Sequence, residues 1–488
     1  MKPLCRRTWN LALALSLTVG LAAAQNGAPG MPAKGATAAG GSGLPQNSSQ
    51  NPLLGSVPSG TASAEILPLS LSDAIDRGLR QNLGLLMGND AVVSSKGQLW
   101  QERSRLLPNI SGGMSEHAQQ VDLAEQGFQK IISRFPGFPL VIGPYGYFEL
   151  HAAASESLVD VHALDDMRSA ARSLDAAKLS YQDLRELVVL VVGATYLQAN
   201  ASSSRVDAAE SQVQTAQALY DQAVDLKKVG ASAGIDLLRA QVELQSRQQQ
   251  RIAARNDFAK QKLALARVIG LPLGQQFTLT DSAPYESAAP ASVDDSLQQA
   301  YAHRADFQSA LILVHAAEYA RRSVKAEHLP TVTADAEYGL VGPTPGTTHG
   351  TFSASASLNI PIFLGNKAHG DALIADAELE RARQKVDDLR AQIEQDVRDA
   401  LLDLQSAGDE VNVAKSNVDL AQQALTESRD RFQAGATDNL EVVQAQETVA
   451  TANESYIASL YAYNLARVRL ARATGTAEQG IRQYWKGK

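Results

Sequence analysis

Two acids stand at matched distances from two glycines. Asp236 lies six residues past Gly230, and Glu441 lies six residues past Gly435. Carboxylates repeated around an opening favour cations and raise the barrier to anions. They also suit the first turn of a helix, where the dipole favours negative charge. Covalent and acid–base chemistry finds less support. The eight histidines, at 117, 151, 162, 303, 315, 328, 349 and 369, are scattered and form no His-Glu-x-x-His pair. Neither a glycine-rich phosphate loop nor a serine elbow is present. The residues therefore predict no enzyme, no cofactor and no metal site.

Both acids belong to copies of one unit. Val229-Gly230-Ala231-Ser232 runs into Ile235-Asp236-Leu237-Leu238-Arg239-Ala240-Gln241. Ala434-Gly435-Ala436-Thr437 runs into Leu440-Glu441-Val442-Val443-Gln444-Ala445-Gln446, 205 residues later. The same offset aligns Leu265-Ala266-Arg267 and Gly270 with Leu470-Ala471-Arg472 and Gly475. Such an offset predicts one elongated body of two similar halves.

The elements that carry these turns are long helices. Residues 163–229 contain no proline and only Gly193, which predicts one helix about 100 Å long at ~1.5 Å per residue. Its return helix is expected over 234–269. The second copy predicts helices over 367–434 and 438–474. Along the second long helix Val397, Leu404, Val411, Val418 and Leu425 alternate at 4-3 spacing with Ala400, Ala407, Ala414, Ala421 and Ser428. A sustained seven-residue period predicts a coiled coil with close helix approach. Shorter helices are expected at 73–104, capped by Ser72, and at 294–327. A proline-bearing connector lies between the copies at 270–293.

Strands follow each short helix. Phe352, Ala354, Ala356, Leu358, Ile360 and Ile362 alternate with Thr351, Ser353, Ser355, Ser357 and Asn359. Val332, Ala334, Ala336 and Tyr338 alternate with Thr331, Thr333, Asp335 and Glu337. Period two predicts strands over 331–338 and 351–363, and their counterparts are expected near 109–117 and 146–160. Their length suits tilted membrane strands with a polar lumen behind them. Four strands cannot close a barrel, and an open edge is not tolerated in hydrocarbon. A membrane reading thus requires several chains.

Composition narrows the setting. Lys2, Arg6 and Arg7, an apolar core over Leu11–Leu21 and Ala22-Ala23-Ala24 predict a signal peptide at 1–24. Residues 25–66, rich in Gly, Ala, Ser and Pro, predict a flexible leader. Cys5 is the single cysteine and lies inside the signal, so the mature chain has no disulfide or thiolate site. Formal charge is −8, and −11 without the signal's three cations, which disfavours nucleic acid. No run in the mature chain approaches the ~20 apolar residues of a membrane helix. The expected order is signal 1–24, leader 25–66, first repeat 67–282, second repeat 283–476 and tail 477–488.

The duplicated helix–Gly-Ala-Ser/Thr–helix unit resembles the TolC family of outer-membrane efflux channels. His328-Leu329-Pro330 before a strand, Leu358-Asn359-Ile360-Pro361-Ile362-Phe363 with Gly365 at a strand-to-helix junction, and Arg304-Ala305-Asp306 resemble it too. The first copy departs at Leu158-Val159-Asp160-Val161-His162 and in a long aromatic loop at 119–145.

The resemblance implies a mainly α fold with β: per chain, four transmembrane strands and a long helical coiled coil, closing as a homotrimer with a 12-stranded barrel. It implies residence in the Gram-negative outer membrane with the helical barrel in the periplasm. It implies a passive exit duct of a tripartite efflux pump, partnered by a periplasmic adaptor (membrane fusion) protein and an inner-membrane pump. The alternatives are a type I protein secretion channel and a periplasmic coiled-coil scaffold without a pore. It places adaptor contacts at Gly230, Ala231, Ser232, Gly435, Ala436 and Thr437. An entrance constriction falls at Asp236, Glu441, Gln444 and Phe432. Gln444 stands where the family has a second acid, while Phe432 and Thr437 replace a Tyr and an Arg that latch the closed state. A weaker or different latch is the expectation.

Overall fold

The computed structural model describes residues 51–480, apart from 126, 133, 135, 136, 138, 231, 232, 282–284 and 287–291. The expected signal peptide, Ala231 and Ser232 of the first turn, and the last residues of the tail lie outside the described residues. Among those described, one order of elements occurs twice. In the first half α1 (Leu71–Gln81) and α2 (Leu83–Ser104) precede β2 (Asn109–Asp122) and β3 (Val141–Val159). Then come α4 (Val161–Lys228) and α5 (Gly234–Ile269). In the second half α6 (Val293–His303) and α7 (Ala305–Ala326) precede β5 (Thr331–Gly342) and β6 (His349–Asn359). Then come α8 (Lys367–Gln433) and α9 (Asn439–Ala473). The short strands β1 (Leu67–Leu69) and β4 (Phe277–Leu279) pair in parallel, and α3 is one turn at Gln129–Ile132 in the loop between β2 and β3.

Each short helix expected to be continuous is two. The first is capped by Ser70, not Ser72, in a reciprocal capping box with Asp73. It breaks at Asn82, which ends α1 and caps α2. Asn82 Oδ1 accepts from Gly84 N at 2.9 Å, and its amide donates to Leu53 O at 2.7 Å. That side chain meets orphan helix-end groups in a fully buried place, a demand that hydrophobic periodicity does not reveal. The second breaks at Arg304, whose guanidinium donates to Asp306 and Asp396, each at 2.7 Å. Glycines from the long hairpins pack on both breaks. Gly270 (φ 71°) and Gly475 (φ 72°) are left-handed. A Cβ on Gly270 would come within 2.5 Å of Gln81 Cβ, and one on Gly475 within 2.8 Å of the His303 and Arg304 backbone. The two positions thus require glycine for conformation and for space.

The leader also differs from expectation. From residue 51 onward it is tied to the body: Leu53 packs into the core, Val57 N donates to Gln81 O and Ser59 N to Gly270 O. One core gathers Leu69, Leu71 and Ile75 with Val188, Val189, Val192 and Tyr196 of α4 and Leu265 and Ile269 of α5. The Tyr196 hydroxyl donates to Leu69 O at 3.1 Å, and burial raises its pKa. This core also revises the membrane-helix reading. α4 holds an 18-residue window of mean hydropathy 1.2, apolar enough to cross a membrane by composition, yet 56% of it is buried within the protein. Its apolar side chains serve the core.

In the lower half α4 packs on α5 and α9, and α9 packs on α8. The seam residues Val397, Ala400, Ala407, Val411, Ala414, Ala421, Leu425 and Ser428 are buried, as are Val192, Ala199, Ser202, Ala209 and Ala216 of α4. Small residues at alternate heptad positions let these long helices lie close. The flanking helices keep apolar rows in solvent: Leu238, Val242, Ile252 and Leu263 on α5, and Leu402, Val413 and Leu420 on α8.

Candidate channel wall and entrance

The four long strands form one antiparallel sheet in the order β2-β3-β5-β6. Register sets its two faces. Ala154 pairs with Ile110 and Ala336, and Ala336 with Ala354, so one mostly apolar face carries Ile110, Met114, Leu150, Ala334, Ala336, Phe352, Ala356 and Leu358, with Glu116 and Glu156 among them. The other carries Ser111, Ser115, Glu149, Ser155, Thr333, Glu337, Ser353 and Ser355. Ile110, Met114 and Phe352 are exposed at 74%, 74% and 83%. A face this apolar, left open, calls for an apolar solvent. Among the described residues, the edge strands β2 and β6 each present one unpaired backbone row.

Strand lengths differ from the alternation. β2 runs to Asp122, β3 begins at Val141 and β5 runs to Gly342, each longer than expected. β6 stops at Asn359, while Ile362 and Phe363 lie beyond it at 94% and 84% exposure. Pro361 cannot donate to a strand ladder, and Gly365 and Asn366 turn the chain left-handed into α8. In the first copy the strand passes to the helix at Asp160, whose carboxylate accepts from Ala163 N at 2.9 Å.

At the far end the helix pairs reverse. Gly230 (φ 73°) and Gly435 (φ 70°) adopt the left-handed conformation of a helix stop, and Ala436 N donates back to Arg431 O at 2.9 Å. The expected entrance residues sort into two clusters. Arg239 lies 3.7 Å from Asp236 in its own helix and 3.7 Å from Asp438 of the neighbouring hairpin. The amide of Asn439, which is fully buried, donates to Asp236 O at 3.1 Å. In the second cluster Thr437 donates to Glu441, and Arg431 stands 3.6 Å from the same carboxylate. Gln444 is exposed, and Phe432 is buried with Leu425, Val442 and Ala445 beneath the turn.

Sequence reasoning missed Arg239, Arg431 and Asp438. Only Arg239 left a local signal, as a cation one helical turn from Asp236; Arg431 meets Glu441 across the turn, and Asp438 comes from the other hairpin. Sequence reasoning also missed Arg247, a buried cation on α5. Arg247 donates to Glu243 at 2.6 Å, to Gln250 at 2.9 Å and to Glu447 of α9. Burial alone would lower its pKa, but the Glu243 and Glu447 carboxylates outweigh it and raise it. A cavity of about 390 Å³ lies beside it, lined also by Arg205 and Glu454.

Near mid-length, charged side chains tie the halves together. Arg472 of α9 donates to Asp183 of α4, and Arg185 holds Glu478 through two bonds at 3.1 and 2.7 Å. Burial pushes the Asp183 carboxyl up despite Arg472. Burial also raises Glu186, which accepts the Ala477 and Glu478 amides. Asp306 is held below its ordinary value because Arg304 outweighs the cost of burial.

A sheet with one lipid-type face and a polar reverse, mounted on long paired helices with reversing tips, defines an outer-membrane channel subunit. Residues 75–271 and 296–476 match the family model described as outer membrane efflux protein, and the chain belongs to that family. The pyoverdine export outer membrane protein OpmQ of Pseudomonas putida is 24% identical over 309 residues, covering 63% of this chain and 66% of that protein. The alkaline protease secretion protein AprF of Pseudomonas aeruginosa is 24% identical over 260 residues, covering 51% and 53%. The chain thus spans just under two thirds of the first relative and about half of the second. A crystal structure of CusC, studied for folding and transmembrane channel formation, superposes with a TM-score of 0.70 at 18% identity, covering 86% of this chain and 99% of that one. The fold is TolC-like, and the protein is an outer-membrane protein with its helical part in the periplasm. The family is one of channels and transport proteins rather than enzymes.

Proposed function

We propose that three copies close one passive exit duct, each giving a third of the wall. Two sets of unpartnered edges carry this reading. The sheet ends at β2 and β6, and the helical layer ends at α5 and α8, whose exposed apolar rows have heptad-type spacing. Lipid does not tolerate the strand edges, and another copy supplies matching edges on both levels. Twelve strands then surround a lumen lined by the Ser/Thr-rich face. This argues against a scaffold without a pore, which has no use for a sheet with one apolar open face.

In this reading the turns at Gly230–Ser232 and Gly435–Thr437 meet a periplasmic adaptor, and an inner-membrane pump supplies energy. The carboxylates of Asp236 and Glu441 ring the entrance. Residues 1–24 direct export and are removed, and 67–282 and 283–476 are the two repeats. Small molecules are the proposed cargo, as the name of OpmQ describes for that relative. AprF, named for protease secretion, favours protein export as the second reading.

The test is the chain in planar lipid bilayers together with cysteine cross-linking between β2 and β6. Step conductance with trimers locked through the β2–β6 edge is expected. A monomer that conducts nothing and does not cross-link at that edge overturns the proposal. A pump- and adaptor-dependent rise in small-molecule sensitivity on deletion, with unchanged protein secretion, separates the two cargo readings.

A further inference from the structure

The polar face of the sheet assembles histidines and acids that are far apart in sequence. His151 of β3 sits between Gly113 of β2 and Gly339 of β5 in register. Its ring lies over Gly113, where a Cβ would come within 2.8 Å of both Cε1 and Nε2. The Nδ1 side of the ring faces Glu149 instead, 4.0 Å from Oε1. The other oxygen of Glu149 is 3.6 Å from His117 Nε2 on β2. His117 is itself steadied by stacking on Tyr147 at 4.8 Å and by Ser115 Oγ at 2.9 Å. Glu337 of β5 completes the group: ligand atoms of Glu149, His151 and Glu337 all lie within 4.8 Å of one another.

One atom in this cluster lacks what its surroundings require. His151 Nδ1 is shielded from solvent and has no hydrogen-bond partner among the described residues, although the Glu149 and Glu337 carboxylates lie nearby. A buried polar atom of that kind calls for an unseen partner. A cation satisfies it and the two carboxylates at once.

We propose that His151 Nδ1, Glu149 and Glu337 bind a divalent transition-metal ion. Imidazole with carboxylate suits zinc, copper or nickel, whereas calcium wants six or more oxygens, which this set does not offer. For three atoms no more than 4.8 Å apart, one point lies within about 2.8 Å of all of them, so inward shifts of roughly 0.7 Å reach the ~2.1 Å of a zinc site. Side-chain rotation supplies such shifts while the strands stay paired. All three residues come from one chain, so the site does not depend on how many copies close the wall. The ion would cancel the charge of the two carboxylates that hold it.

The experiment uses the full-length, tag-free protein in detergent, titrated with Co²⁺ alone and followed by its visible absorption, with Zn²⁺ as competitor. One Co²⁺ per chain, with bands that Zn²⁺ abolishes, is expected. His151→Ala and the isosteric Glu337→Gln should each weaken binding at least ~100-fold. Gly113→Ala keeps every ligand but displaces the His151 ring, and should weaken binding as well. Oligomeric state and metal-free thermal midpoint are read for each variant, and Glu337→Gln serves if His151→Ala does not fold. Absence of saturable binding in the parent protein overturns the site. So does binding unchanged in folded Glu337→Gln, which would locate the ion at other histidines. Because the readout is binding, it stands apart from any failure to conduct.

Discussion

Arg472 Nη2 lies 2.6 Å from Asp183 Oδ1, and both side chains are largely withdrawn from water, at 12% and 17% exposure. The pair fastens the last long helix to the first. Removing one partner leaves the other charge poorly solvated, a loss of about 3–5 kcal/mol for a fully buried pair and of about 2–3 here because some water remains. Arg472→Ala should therefore lower the thermal midpoint clearly. Asp183→Asn combined with Arg472→Met should recover most of that loss, as measured by thermal unfolding in detergent.

The same region sets an acid dependence. Asp183 and Glu186 have folded-state pKa values above their ordinary 3.8 and 4.5, because burial disfavours their charge. Their contribution is fully present below those ordinary values and is lost as pH rises through the raised ones. Asp306 has the opposite sign: its value is depressed below 3.8, so its contribution is lost as pH falls through the depressed value. Titration from neutral pH to about 4.5 should leave the thermal midpoint level or slightly raised, and destabilisation should set in below pH 3.8. Asp183→Asn should remove part of the rise.

At the tips, Arg239 bridges Asp236 and Asp438, and Arg431 and Thr437 hold Glu441. Exposed pairs of this kind contribute about 0.2–1 kcal/mol each, or roughly 1.4- to 5-fold in an opening equilibrium. On the proposed entrance reading, Arg239→Ala with Arg431→Ala should raise the open fraction of single channels several-fold. High salt should reduce the difference between variant and parent. Asp236→Ala and Glu441→Ala should also change conductance; traces identical to the parent for all four would remove these residues from the entrance.

The left-handed glycines should separate into two classes. Gly230 and Gly435 have open space where a Cβ would go, so alanine there costs only the backbone strain of about 1–2 kcal/mol. At Gly270 and Gly475 the added carbon also meets Gln81 or the His303–Arg304 backbone. Gly475→Ala should therefore cost at least about 3 kcal/mol, since strain and clash act together. Comparing thermal midpoints of Gly435→Ala and Gly475→Ala tests the distinction.

Repetition and period made the large elements legible. The 205-residue offset and the seven-residue seam placed four long helices to within about two residues of α4, α5, α8 and α9. Alternation found the two strands of the second copy and the repeat supplied their counterparts, but the ends were misplaced. Alternation stops informing where Gly and Pro interrupt it, as in Val141-Ile142-Gly143-Pro144 at the start of β3. The breaks at Asn82 and Arg304 were hidden because each depends on a buried polar side chain answering groups brought from elsewhere in the chain. The Arg239–Asp438 and Arg247–Glu447 pairs join separate hairpins, and no local pattern announces them. The cluster around His151 was invisible for the same reason: histidines 34 residues apart become neighbours only when β2 lies beside β3.

The two bare strand edges also govern how this protein can safely be made. Backbone groups along β2 and β6 will accept any extended segment offered to them. Chains produced faster than they are delivered and joined would engage one another in the wrong register. Output from a strong promoter should thus be limited by aggregation rather than by translation, and slower synthesis should yield more usable protein.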